Sequence, residues 1–181
     1  MERRSAQDLS QLNDDKNNQK SSGISKALIE ATVREVVRQL APTLKITLDE
    51  AKRLTEAVEQ ESARRGQASV LAVCNPDGNP ILVHVMDGAF LVSFDVAIKK
   101  AYTAVAVKMS TMELSKLAQP GATFYGLDKM DNGKVAILGG GVPLTIDGQI
   151  IGGFAVSGGT GEADDSLAQY GQEILKDVLG L

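Results

Sequence analysis

The chain has no tryptophan, one cysteine (Cys74) and one histidine (His84) among 181 residues. A single cysteine excludes a disulfide framework within the chain and a cysteine zinc site. A single histidine leaves a Ser-His-Asp triad open only through His84. No apolar run approaches the roughly 18 residues needed to cross a bilayer, so no membrane-spanning segment is expected. The opening stretch MERRSAQDLSQLNDDKNNQK lacks an apolar core, so no secretory signal is expected either. Basic charge is also short: 19 Lys and Arg against 23 Asp and Glu give a net charge of −4. A nucleic-acid binder would be basic. The composition therefore describes a mildly acidic, globular, cytoplasmic protein that binds neither nucleic acid nor membrane.

What is present divides into three parts. Residues 1–23 are polar and carry only Met1, Ala6, Leu9 and Leu12 as apolar residues, which is too little to offset ordering entropy; a disordered leader is expected. Residues 24–41 carry one apolar stripe, Ile29, Val33, Val36, Val37 and Leu40, at helical spacing, with Glu30, Arg34 and Arg38 opposite. Ala41-Pro42 ends that helix. A helix isolated between a polar leader and a proline either packs on the following domain or docks on a partner.

The domain is expected over residues 44–181. Thr47-Leu48-Asp49-Glu50 reads as a capping box opening a helix that Gly66 closes. Ser69–Cys74 and Ile81–Met86 read as two strands around Asn75-Pro76-Asp77-Gly78-Asn79-Pro80, apolar enough to be covered on both faces. Ser93 is positioned to cap a helix through Lys108, in which Ala97, Ala101 and Ala104 permit close approach to a neighbour and offer a flat face for another subunit, and Met112–Leu117 gives a short second one. Val135–Leu138, Pro143–Ile146 and Gln149–Val156 read as three more strands, the last two turning at Asp147-Gly148. Glu162–Leu179 reads as a final helix. Hairpin-linked strands and dispersed helices make an α+β domain around an antiparallel five-stranded sheet.

The candidate sites follow from residue chemistry. Gly139-Gly140-Gly141 and Ser157–Gly161 lack the phosphate-loop pattern, and Glu162, Asp164 and Asp165 would repel phosphate at that helix start. These glycines instead allow tight turns, or close approach by a flat ligand or another backbone. His84 has no second His or Cys for a zinc set, but haem needs only one or two axial ligands from the protein. Met86, Tyr102 and Tyr125 are further ligand types. Lys99-Lys100 reads as a solvated helix face that could meet a carboxylate such as a haem propionate. Nucleophilic catalysis is poorly supported, because Cys74 ends an apolar strand and Ala155-Val156-Ser157-Gly158-Gly159 is no nucleophile elbow.

From about Leu44 to Leu179 the chain resembles the GlcG/HbpS-like family, which includes the C-terminal domain of PduO proteins. The matching stretches are Met86-Asp87-Gly88-Ala89, Lys100-Ala101-Tyr102-Thr103-Ala104, Glu113-Leu114, Gln119-Pro120-Gly121 with Tyr125-Gly126, Gly139–Leu144, and Asp147-Gly148 through Gly152 to Gly159. The resemblance implies a profilin-like α/β/α sandwich, homo-oligomers, and haem or corrinoid binding without a firmly attached reaction. The chain departs from it in two places. Many relatives have His where this chain has Met112, and some have His in the first domain helix, where it offers Lys52 and Arg53. His84 is the substitute ligand this sequence suggests. The helix over 24–40 resembles the encapsulation peptides of bacterial microcompartment cargo, which implies shell or cargo proteins as partners and a place in the compartment lumen.

The expectation is a non-enzymatic haem- or corrinoid-binding protein with His84, Met86, Lys100, Tyr102, Tyr125, Gly140 and Gly141 as the binding residues and His84 on the metal. The rivals are an enzyme or accessory factor for a small organic acid or cofactor, and a structural module whose glycines serve packing and assembly.

Overall fold

The computed structural model describes residues 44–181 together with Leu28, Ile29 and Thr32. The leader over 1–23 and most of the 24–41 helix lie outside the described residues. The chain divides into two units, Met1–Pro42 and Thr43–Leu181, and the second carries everything below.

Its elements are α1 (Leu48–Arg64), β1 (Val70–Cys74), β2 (Pro80–Val85), α2 (Ser93–Val107), α3 (Thr111–Leu117), β3 (Gly141–Ile146), β4 (Gln149–Ser157), α4 (Gly161–Glu173) and α5 (Leu175–Leu179). Helix α1 starts where its capping box forms: Glu50 N–H donates to Thr47 Oγ1, and Thr47 N–H donates to Glu50 Oε2 at 2.7 Å. At the first hairpin, Asn75 Oδ1 accepts from the N–H groups of Asp77 and Asn79, which closes the turn on itself. The second hairpin turns on Asp147 and Gly148, both at positive φ, as a two-residue turn matching strand twist requires.

The sheet is antiparallel throughout, in the order β2-β1-β4-β3. Alternate residues of the strands point to opposite faces. Val70, Ala72, Cys74 and Ala155 meet Ala97, Ala101 and Val105 of α2 on one face. Leu71, Val73, Val142, Leu144, Phe154 and Val156 meet α1, α4 and α5 on the other. Residues 44–181 thus form three layers. Helix α2 lies close to the sheet because a glycine faces it: a Cβ on Gly141 would sit 2.6 Å from Lys100 O.

Several sequence expectations need correction. Among the described residues the sheet has four strands, not five. Val135–Leu138 joins no ladder; Ala136 N–H donates instead to Thr103 Oγ1 of α2 at 2.8 Å. Strand β2 is covered only in part: Leu82 packs on the α1 side and Val83 on the α2 side, but every residue of this edge strand stays at least partly exposed. Ser93 does not cap α2 but is buried as its first residue. The last helix breaks at Ile174. Ala97, Ala101 and Ala104, read as a flat face for another subunit, are buried by their own domain instead.

Candidate functional site

His84 sits on β2 opposite Leu71, a core residue under α1, so its side chain faces α1. There its Nδ1 lies 3.0 Å from Glu59 Oε2, with the imidazole 32% exposed. Glu59 is one turn before the C-terminal end of α1, and its carboxylate takes up one ring nitrogen, Nδ1. Met86, just beyond β2, packs against the same core; its sulfur takes the Ser69 N–H at 3.3 Å.

Lys100 occupies a different place. The sequence pattern made it a solvated residue, yet it is 2% exposed and among the largest fully buried side chains. Its Nζ donates to Asp164 Oδ2 at 2.8 Å and to Val156 O at 3.0 Å. Asp164 lies in the first turn of α4, where Thr160 caps the helix. Rather than facing solvent, its Oδ1 accepts from Gln67 Nε2 and from the N–H groups of Gly158 and Gly159. Burial pushes the Lys100 ammonium below its ordinary range, and the bond to Asp164 opposes that shift. Gly140 and Gly141 close over the pair: a Cβ on Gly140 would lie 2.9 Å from Lys100 Nζ, and Gly141 N–H donates to Thr111 Oγ1. Beside the pair is a cavity of about 300 Å³, with Phe90, Val92, Val96 and Leu138 among its apolar lining.

A second cleft, of about 540 Å³, lies between the first hairpin and α2, lined by Asp77, Asp95, Lys99, Tyr102 and Lys134 among others. The Tyr102 hydroxyl donates to Asp131, whose carboxylate pushes the phenol above its usual range. That disfavours the phenolate a metal would need. Lys134 stands over the Tyr102 ring at 5.6 Å. Lys99 and Lys134, but not Lys100, line this cleft.

The seven candidate residues therefore do not form one site. Lys100, Gly140 and Gly141 come together; His84 and Met86 share the α1 face of the sheet; Tyr102 lines the hairpin cleft; Tyr125 stands 62% exposed in the loop after α3. Among the described residues no three His, Cys, Asp or Glu side chains gather as a metal site. Sequence reading missed Glu59 and Asp164. An Asp behind Ser157-Gly158-Gly159 signalled a helix start, and nothing local showed that it would turn back onto those glycines. The carboxylate that a small organic acid could have offered Lys100 is supplied by the protein itself. No helix of the described residues is long and apolar enough to cross a membrane.

The family described as haem degrading protein HbpS-like matches residues 46–173. An uncharacterized 15.0 kDa protein from the dhaT-dhaS intergenic region of Citrobacter freundii is 40% identical over 133 residues, covering 74% of this chain and 94% of that protein. The corrinoid adenosyltransferase PduO of the same organism is 37% identical over 128 residues, 71% of this chain but 38% of the transferase. Among solved structures, Klebsiella pneumoniae protein ORFY superposes with a TM-score of 0.71 at 36% identity, over 76% of this chain and 95% of that one. A PduOC:heme complex superposes with a TM-score of 0.68 at 38% identity, over 71% and 94%.

Proposed function

The chain belongs to the HbpS-like family, and from that premise we propose that it is a haem-binding protein with His84 as the iron ligand. The observation that carries the proposal is the contact between His84 Nδ1 and Glu59 Oε2 at 3.0 Å. A metal-bound imidazole ordinarily donates its other N–H to a carboxylate, which fixes the tautomer and raises the basicity of the ligating nitrogen. With an Nδ1–H donated to Glu59, Nε2 would present its lone pair to a metal, and the part-exposed edge strand leaves the ring accessible. The donor set fits the group. Bound haem would supply the iron, and the His84 imidazole is the donor that would hold it. The structure of a PduOC:heme complex at 38% identity supports haem binding.

The proposal is for binding rather than catalysis. Cys74, the strongest nucleophile by residue type, has its thiol pushed up to about 12 by burial and donates to Ala101 O. The three layers support the profilin-like α/β/α arrangement. Two assembly readings accompany the proposal. Phe90, Leu91 and Val92, exposed by 66%, 95% and 68%, support a homo-oligomer, since one loop of an isolated domain seldom leaves such a patch bare. The apolar stripe of residues 24–40 supports docking on microcompartment shell or cargo proteins.

The test is titration with hemin followed in the Soret region. The protein is expected to shift the band, His84→Ala to lose the shift, and Glu59→Gln to bind about 10–100-fold more weakly. An unchanged wild-type spectrum removes the haem reading. A response to hydroxocobalamin but not to hemin replaces haem by a corrinoid.

A further inference from the structure

We propose that the cavity beside Lys100 binds a small uncharged aldehyde, which condenses with the Lys100 amine to a Schiff base. The cavity is separate from His84, so this inference stands or falls independently of haem binding. A buried ion pair contributes little to stability compared with apolar residues of the same volume, so its presence in a cavity wall calls for another reason. Lys100 has three ammonium protons; Asp164 Oδ2 and Val156 O take two, and the third has no acceptor among the described residues. A carbonyl oxygen is the complement of that free donor. A ligand carboxylate is not, because Asp164 already faces the ammonium.

The cavity also sets size and polarity. Its volume of about 300 Å³ is at the lower end of the range for small-molecule sites, about 300–1,000 Å³. Phe90, Val92, Val96 and Leu138 line it, and they suit a short alkyl or aryl body. Desolvation favours the neutral amine, which is the nucleophile. Asp164 Oδ2 takes the proton that frees the lone pair, and the nitrogen then attacks the carbonyl carbon. The carbonyl oxygen departs as water with two of the three original ammonium protons, and a C=N bond replaces C=O. The third proton stays on the iminium, so a positive charge remains opposite Asp164 and the buried pair is preserved. No oxidant or reductant is consumed.

Butanal with cyanoborohydride, followed by peptide mass mapping of the full chain, tests this. Reduction fixes the imine as a butyl amine, and Lys100 is expected to carry it ahead of the exposed Lys99 and Lys134. Leu138→Trp changes an exposed lining residue outside the Phe90–Val92 patch, so the fold survives while the cavity is filled; it is expected to lose the Lys100 label and keep any label on Lys99. Label confined to surface lysines, or spread over them at the same rate as Lys100, overturns the proposal. So does Lys100 label that persists in Leu138→Trp, since the cavity then binds nothing.

Discussion

Replacing Lys100 by methionine removes the charge of a side chain only 2% exposed while nearly conserving its volume. The packing change is therefore small, and the consequence falls on Asp164. Its Oδ1 keeps three donors, Gln67 Nε2 at 2.9 Å, Gly159 N at 2.8 Å and Gly158 N at 3.1 Å. Its Oδ2 loses Lys100 and leaves a buried, uncompensated charge, which costs about 3–5 kcal/mol. A domain is ordinarily stable by about 5–15 kcal/mol, so the variant should fold and be measurable. Urea unfolding by circular dichroism at about pH 7 is expected to show that loss. The double variant Lys100→Met with Asp164→Leu removes both charges but orphans the glycine N–H groups. Each orphan costs about 1–3 kcal/mol when buried. Gly159 is exposed, so water satisfies it, and the double variant should lose less than the single one. A Lys100→Met protein within about 1 kcal/mol of wild type would refute this reasoning.

Cys74 should make stability fall in alkali. Its folded value, about 12, lies above the ordinary 9.0, so the folded state holds the proton longer and stability is lost between those values. The slope is about 1.4 kcal/mol per pH unit, and Cys74→Ala should abolish that component of an unfolding series across the window. Gly141→Ala should cost about 1–3 kcal/mol or more, because its Cβ would meet Lys100 O at 2.6 Å and Thr111 Cγ2 at 2.8 Å. Gly148→Ala, with open space but φ of +81°, should cost only the left-handed strain, about 1–2 kcal/mol; thermal melts compare the two. Tyr102→Phe removes a bond to Asp131 at the surface and should change stability by less than about 1 kcal/mol, read in the same melts.

The parts of the fold governed by short-range chemistry were legible in the sequence. The Thr47–Glu50 capping box and the Asp147-Gly148 turn lie within a few residues, and each formed as its local pattern dictates. Where a distant partner decided the outcome, the pattern misled. Val135–Leu138 has strand composition, but its backbone is taken by Thr103, 33 residues earlier. Lys99 and Lys100 are indistinguishable by composition, and only Asp164, 64 residues on, makes one of them a core residue. The alanines of α2 signalled close approach correctly but not what approaches, since a sheet of the same domain and another subunit require the same small face. For the site, histidine was recognisable as a ligand type. Its orientation depends on Glu59, 25 residues away on another element.

Because His84 is the chain's single histidine, labelling histidine with nitrogen-15 labels one side chain alone. Resonance Raman spectra of the reduced haem complex, prepared with and without that label, therefore test the assignment of the iron ligand directly. Ligation by His84 predicts an iron–nitrogen stretching band that shifts on labelling, is absent in His84→Ala, and moves in Glu59→Gln as the ligating nitrogen becomes less basic. A haem complex whose iron–ligand bands do not respond to the label would contradict it, and would transfer the ligand to a residue other than His84.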